Sequence, residues 1–366
     1  MSIHLPDRAH CVGCGACASV CPAQCIRMER DEEGFRRPVV REEACLLCGA
    51  CEMICPVRNP DPRAEPFATY AAVNPDDETR RASTSGGVFS LLAQQVLDLG
   101  GVVYGGAFDR RFTVRHAAAR TRDELALLRG SKYMESDLGD TFSEVKQLLD
   151  RGVPVLYSGV PCQIAGLRSF LGIEHPLLLT VDLVCHGAPS PLAWEAYLAE
   201  RERAAGAKAL RVAFRDKAEG WRHSSLFVIF ENGAAFRAAE DGGAWMRAFL
   251  HGLSIRRSCF SCPYRTNERP GDITLADFWG IEKVTGERDD DLGVSIVRAN
   301  SAQGRNALAS VADRLQLREV AWEDAVRRNR AALHPTPPQP KREDFFARLG
   351  KEPFAAIVGD LLRQAP

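Results

Sequence analysis

Apolar residues recur in short runs through the middle of the chain, at 67–73, 101–108, 112–119, 153–159, 176–184, 209–214, 226–230, 234–239, 272–277 and 293–299. Their length, their alternation or continuity, and the Gly, Pro, Asn and Asp residues around them predict β-strands. Asn232-Gly233, between two of these runs, is the sequence of a tight hairpin turn, because both residues accept a positive φ. Amphipathic helical spacing appears at 87–99, 138–151, 161–171 and 190–204, and again at 323–333 and 354–364. Strands interleaved with helices predict an α/β (α+β) domain with a mixed sheet, whose strand order the pattern does not set. The start of the chain is different. Residues 26–40 alternate about Glu33-Gly34 and predict a β-hairpin, whereas 57–66 holds three prolines and no apolar periodicity, as a linker would. The expected division is a small domain at 1–58, a linker at 59–66, the α/β domain at 67–300 and a C-terminal helical extension at 301–366 packed on it.

Composition narrows the function classes. At 366 residues the chain is long enough for two or three domains, and its net charge of −1 gives no argument for a nucleic acid or an anionic membrane surface as partner. No apolar run reaches the roughly 18 residues of a membrane span; the stretch from Phe89 to Phe108 is broken by Gln94, Gln95 and Asp98. MSIHLPDRAH lacks the apolar segment of a signal peptide, so the cytoplasm is the expected compartment. Thiols stay reduced there, so the thirteen cysteines read as metal ligands rather than as disulfides.

Nine of the thirteen lie in the first 55 residues, and eight form a repeat. CVGCGACASVCP begins at Cys11 and CLLCGACEMICP at Cys45, a shift of 34 positions. Each copy has the bacterial ferredoxin spacing C-x2-C-x2-C-x3-C-P, in which the fourth cysteine ligates the other cluster. That crossing assigns Cys11, Cys14, Cys17 and Cys55 to one [4Fe-4S] cluster and Cys45, Cys48, Cys51 and Cys21 to a second. Structural zinc is the competing reading, and two three-plus-one runs at the same spacing argue against it. Gly15-Ala16 and Gly49-Ala50 are small enough to bring backbone N–H groups near the sulfurs. Cys25 stands outside the repeat and reads as a buried small apolar residue.

Four cysteines remain: Cys162 and Cys185, each just past an apolar strand run, and the C-x-x-C pair Cys259/Cys262. Loops at the strand ends of an α/β sheet are where sites are built, so three separate segments are able to converge. On the residues alone a third cluster, a zinc site and unrelated cysteines all stay open. In the last case Cys162 would be a nucleophile at a helix start and Cys185 a core residue.

A dinucleotide fingerprint of the G-x-G-x-x-G kind after a strand is absent. RRASTSGGVFSLL (80–92) instead sets hydroxyls and glycines at the start of an amphipathic helix, either a phosphate cradle or a plain cap. Lys132 and Tyr133 beside Ser131, and Arg215, Lys217, Trp221 and His223 in 214–225, read equally as surface loops.

STSGGVFS, GSKY, SGVPCQIAGLR, DLVCHGAPS, FRDKAEGW and CFSCPYRTNERPGDITLADFWG occur in this order over residues 67–300. Together they resemble the coenzyme F-420 hydrogenase/dehydrogenase beta-subunit family, a flavin and iron–sulfur family that includes enzymes like 7-hydroxymethyl chlorophyll a reductase. The resemblance implies FAD in the α/β domain, and a third [4Fe-4S] cluster on Cys162, Cys185, Cys259 and Cys262. It also implies flavin-lining segments at Ser85, Gly86, Gly87, Lys132 and Tyr133. The fused ferredoxin domain departs from the hydrogenase subunit and puts a hydrogenase partner, and coenzyme F-420 as substrate, in doubt.

The expected function is an iron–sulfur flavoprotein oxidoreductase. Its partners would be a small redox donor protein or reduced coenzyme and an unidentified organic substrate, and a homo-oligomer is compatible with the sequence. His186 is a candidate to supply a proton or bond a cluster sulfur, with a satisfied turn histidine as the competing reading. Asp277 is a candidate to orient the flavin, or else a turn cap. The rival from another class is an electron-transfer subunit with no small-molecule substrate.

Overall fold

Strands β1 (Ile26–Arg30) and β2 (Arg36–Val40) form the expected hairpin, with Gly34 at φ 86° in its turn. The next five strands are β3 (Ala68–Val73), β4 (Val102–Phe108), β5 (Val114–Ala119), β6 (Val155–Gly159) and β7 (Leu178–Leu183). Then come β8 (Ala209–Asp216), β9 (Ser225–Phe230), β10 (Ala235–Arg237), β11 (Ile273–Asp277), β12 (Ser295–Ala299) and β13 (Gln316–Val320). The structure is a computed structural model describing residues 3–61, 66–238, 243–286 and 289–363.

Eight strands form one sheet in the order β13-β3-β12-β11-β7-β6-β4-β5, parallel from β11 to β4 and antiparallel outside them. The expected mixed sheet is therefore present. Strands β6 and β12 are buried along their whole length, as their near-continuous apolar sequence requires when both faces are covered. On one face, helices Thr141–Asp150 and Pro161–Leu171 bury Phe142, Val145, Ile164 and Leu167; on the other, helix Val88–Asp98 buries Leu91, Leu92 and Val96. Each such side chain contributes about 1.5–3 kcal/mol when taken from water. Strands β8–β10 form a separate antiparallel sheet, closed by the Asn232-Gly233 turn with Gly233 at φ 82°.

Two expectations need correction. The segment after 300 is not wholly helical, because β13 pairs with β3 and completes the sheet edge. Its sequence QLREV is mostly polar, since an edge strand has little to bury. The helix expected at 323–333 is one short turn, Trp322–Ala325, followed by an irregular segment and a second turn at Arg330–Ala332. Its apolar residues pack on Phe278 and Ile296 without helical continuity. Residues 62–65 of the linker, Ala239 of the strand run 234–239 and Gln364 of the last helix lie outside the described residues. Among the described residues no helix is long and apolar enough to cross a membrane.

The small domain is bound tightly to the larger one. Glu33, at the hairpin tip, accepts two bonds from Arg342 at 2.8 and 2.6 Å and a third from Arg257 at 3.0 Å. Gly34 lies so close that a Cβ there would meet the Leu192 Cβ at 2.5 Å. Cys14 and Ala16 belong to the same apolar core as Phe142, Tyr157 and Ile164.

One buried group makes stability depend on pH. The His116 ring stands between Ser136 Oγ (2.8 Å) and the Ser158 carbonyl (3.0 Å), and burial holds it down to about 4. The unfolded chain takes up that proton below the ordinary value of 6.5, whereas the fold resists until about 4. The neutral ring's contribution is thus complete above pH 6.5 and is lost as pH falls toward 4, roughly 3 kcal/mol in all. Denaturant midpoints measured from pH 7 to pH 4 should fall less steeply in His116→Gln than in the wild type; equal slopes would clear His116 of the effect.

Candidate metal centre and cofactor site

The duplicated cysteine runs fold alike. In each, a glycine at positive φ (Gly15, 75°; Gly49, 74°) precedes a short helix, Ala16–Val20 or Ala50–Met53. Only glycine enters this left-handed turn at little cost, and the turn sends the third cysteine back toward the first two. Within the C-x-x-C loop the copies differ: Gly13 (φ 71°) and Leu47 (φ 52°) are both left-handed. A Cβ on Gly13 would meet Arg256 Nη2 at 2.6 Å, while Leu47 is exposed.

The sulfurs cross between the copies. Cys11, Cys14, Cys17 and Cys55 line one cavity of about 360 Å³, and Cys21, Cys45, Cys48 and Cys51 line another of about 300 Å³. Burial pushes the Cys14 thiol up to about 12 and raises Cys17 further, with repulsion from the other sulfurs of the set adding to it. Four thiols in an apolar hollow lose their protons only if a cationic core replaces them, so this donor set fits an iron–sulfur cluster. Cys25 is buried and its sulfur lies 3.4 Å from that of Cys21, which lifts its own proton affinity to about 11.

The other four cysteines also meet. Gly159 of β6 is in register with Asp182 of β7, and Cys162 and Cys185 each follow three residues later at the same end of the sheet. Pro161 at the first helical position and Gly172 past the last (φ 70°) fix the helix that carries Cys162 in its first turn. The C-x-x-C loop is brought over by a buried pair: Arg269 donates to Asp182 at 2.6 and 3.1 Å, and also to the carbonyls of Tyr264 and Leu183. The Ala188 N–H then donates to Cys259 Sγ at 3.4 Å.

Burial raises the proton affinity of Cys162 well above the ordinary thiol value, with repulsion from Cys262, Cys185 and Cys259 behind it, and raises Cys259 to about 12. Cys162 is therefore opposite in character to a nucleophile activated by a helix N-terminus. Among the described residues no three His, Cys, Asp or Glu side chains converge closely enough to ligate a single metal ion.

The remaining candidates form a contiguous chain beside this quartet. His186 Nε2 donates to the Leu250 carbonyl (3.1 Å) and its ring meets Phe249 edge-on at 5.0 Å. Phe249 packs on Tyr133 at 5.2 Å, Arg215 donates to the Tyr133 hydroxyl at 3.3 Å, and Arg215 donates to Asp277 at 2.9 Å. Burial, with Arg265 nearby, holds His186 down to about 4. It is neutral at physiological pH with its N–H already used, which favours the satisfied turn histidine over a proton donor. Asp277 anchors Arg215 rather than capping a turn.

A second loop pair adjoins this chain. Ser85 Oγ donates to the Val294 carbonyl (2.7 Å), and Gly86 N–H donates to Ser295 Oγ (2.9 Å). A Cβ on Gly86 would meet the Ala72 carbonyl at 2.4 Å, and Gly87 (φ 81°) starts the helix. Thr84 and Ser131 join this loop to Lys132, whose Nζ reaches only toward the carbonyls of Arg129 (2.7 Å) and Gly130 (3.2 Å) among its polar partners. Burial alone lowers Lys132 to about 7. Lys217 likewise ends on the carbonyls of Arg80, Ser85 and Leu292. Two ammonium groups on carbonyls rather than carboxylates suit an anionic ligand such as a dinucleotide phosphate. Phe249 and Trp279, over which Arg215 lies at 5.3 Å, carried no motif and were not foreseen from the sequence.

These features define an electron-transfer protein of the iron–sulfur class, with a dicluster ferredoxin module seated on a mixed-sheet domain. Residues 154–324 belong to the coenzyme F420 hydrogenase/dehydrogenase beta-subunit family, matching its model for the C terminus of the beta subunit, and residues 10–59 match that of the 4Fe-4S dicluster domain. Among solved structures, a chain of the xenon-derivatised F420-reducing [NiFe] hydrogenase complex from Methanosarcina barkeri superposes with a TM-score of 0.50 at 19% identity, over 74% of this chain and 89% of that one. At that identity the likeness is one of fold. No curated protein matches the chain.

Proposed function

We propose that this chain is an oxidoreductase that passes electrons between three [4Fe-4S] clusters and FAD, to reduce or oxidise an organic substrate or a deazaflavin coenzyme. Bound clusters supply single-electron steps and bound flavin one- or two-electron steps, so together they couple a one-electron carrier to two-electron chemistry. The observation that carries the reading is the unbroken contact from Cys185–His186 through Phe249, Tyr133 and Arg215 to Asp277. It supports the reading because the candidate ligands of the third cluster and the candidate flavin residues stand at its two ends.

Cys162, Cys185, Cys259 and Cys262 would hold that cluster. The lack of any tight three-ligand convergence among the described residues favours a cluster over mononuclear zinc, which draws its ligands to about 2.0–2.3 Å from one centre. Ser85, Gly86 and Gly87 would shape the flavin loop, Lys132 would face its phosphates, and Tyr133 and Asp277 would hold Arg215 in place. Anaerobic purification with iron, sulfide and flavin counted should give about twelve irons and one FAD per chain. Lys132→Met should weaken flavin retention roughly tenfold or more, since a charge-assisted hydrogen bond contributes about 1.5–3 kcal/mol. Unchanged flavin content in that variant would remove Lys132 from the site.

One observation favours the second reading, an electron-transfer subunit without a small-molecule substrate. Leu46, Leu47 and Met53 are exposed around the exposed Cys48, an apolar face of the kind that meets a partner protein. Turnover of a deazaflavin or other small acceptor by the isolated chain separates the two.

A further inference from the structure

Arg256 joins the two halves of the molecule and is 1% exposed. Its guanidinium donates to the carbonyls of Cys11 (3.2 Å) and Arg36 (2.7 Å) in the small domain and pairs with Glu135 of the larger one. Its backbone holds the other side: the Arg256 N–H donates to the Ala188 carbonyl (2.9 Å), and the Arg256 carbonyl accepts the Cys259 N–H (3.0 Å). A single residue thus touches both the quartet of Cys11 and the quartet of Cys259. The same two quartets approach along a second line. Gly166, one helical turn after Cys162, lies so near Cys14 that a Cβ there would meet its sulfur at 3.0 Å. The positive charge is felt by Cys11 and Cys259. Its Nε, though buried, has no hydrogen-bond partner, so part of the cation's field is not satisfied locally.

We propose that Arg256 is the positioning residue that links the first ferredoxin cluster to the third, fixing their separation and raising the reduction potentials of both. The proposal rests on the three-cluster reading above. A reduced cluster carries one more negative charge than an oxidised one, and a buried cation beside it favours that state, with little screening by solvent. The cluster of Cys21, Cys45, Cys48 and Cys51 lies outside this contact and serves as an internal reference.

The test is a dithionite redox titration of the anaerobically purified full chain, followed by electron paramagnetic resonance. Arg256→Met should lower two of the three midpoints by about 59 mV, a tenfold shift in a one-electron equilibrium, and leave the third in place. Glu135→Gln should move the same two midpoints upward, because the cation loses its compensating carboxylate. Arg256→Lys, which keeps the charge, should stay nearer the wild type than Arg256→Met. A merely structural contact would shift both charge-altering variants in one direction. That result, movement of all three midpoints together, or no movement at all, overturns the proposal. If Arg256→Met does not fold, the selective upward shift in Glu135→Gln decides. A wild-type chain with about eight irons would instead end the three-cluster reading. The proposal would then stand or fall on the midpoint of the first ferredoxin cluster alone.

Discussion

Cys185→Ser is expected to lower the iron content from about twelve to about eight per chain, with the two ferredoxin clusters retained. The basis is separation. The sulfurs of the dicluster module line two cavities of their own, and none of their lining residues comes from beyond Val57. The third quartet is built on different supports: the ends of β6 and β7 and the loop pinned by Arg269. Removing one of its ligands leaves three thiols in a site where burial already opposes their ionisation. Iron and sulfide analysis, with spin quantification of the reduced protein, reads the result. A loss of all iron would mean that the clusters are interdependent; unchanged iron, or a colourless wild type holding zinc at this quartet, would end the assignment. Cys25→Ser is the matched control and should leave iron unchanged.

Asp182→Asn is expected to destabilise the larger domain by about 3–5 kcal/mol, the usual effect of leaving a buried charge without its partner. Asp182 is fully buried, and its carboxylate accepts from Arg269, from the Gly271 N–H (2.9 Å) and from Thr274 Oγ1 (3.0 Å). An amide in its place keeps the shape but turns one acceptor into a donor and removes the charge. The loss would appear as a lower denaturant midpoint with an unchanged slope. Because the same arginine holds the carbonyls of Leu183 and Tyr264, the variant should also lose about four irons. A loss below about 1 kcal/mol would place the pair among those whose desolvation offsets their attraction.

Much of this was legible in the sequence, for identifiable reasons. Strands such as VLYSG and LLTVDL are buried on both faces, so their apolar character is continuous. The ferredoxin runs were legible because cluster chemistry dictates spacing within a dozen residues. β13 escaped notice because an edge strand can be polar without penalty. The convergence of Cys162, Cys185 and the C-x-x-C pair depends on register and on the Arg269–Asp182 pair, which join residues 87 positions apart. Local periodicity does not encode that. Arg256 and Phe249 escaped for the same reason: each matters through contacts with distant segments.

The glycine at position 13 and the leucine at position 47 occupy equivalent turns of a duplicated loop, at φ 71° and 52°. At the first, neighbouring side chains leave no room for a β-carbon; at the second, the backbone bears about 1–2 kcal/mol of left-handed strain to present a leucine to solvent. Two modules that began as copies have therefore ceased to be interchangeable. One has become an internal joint, intolerant of growth by even a methyl group, and the other an outward face whose shape is free to follow whatever it meets.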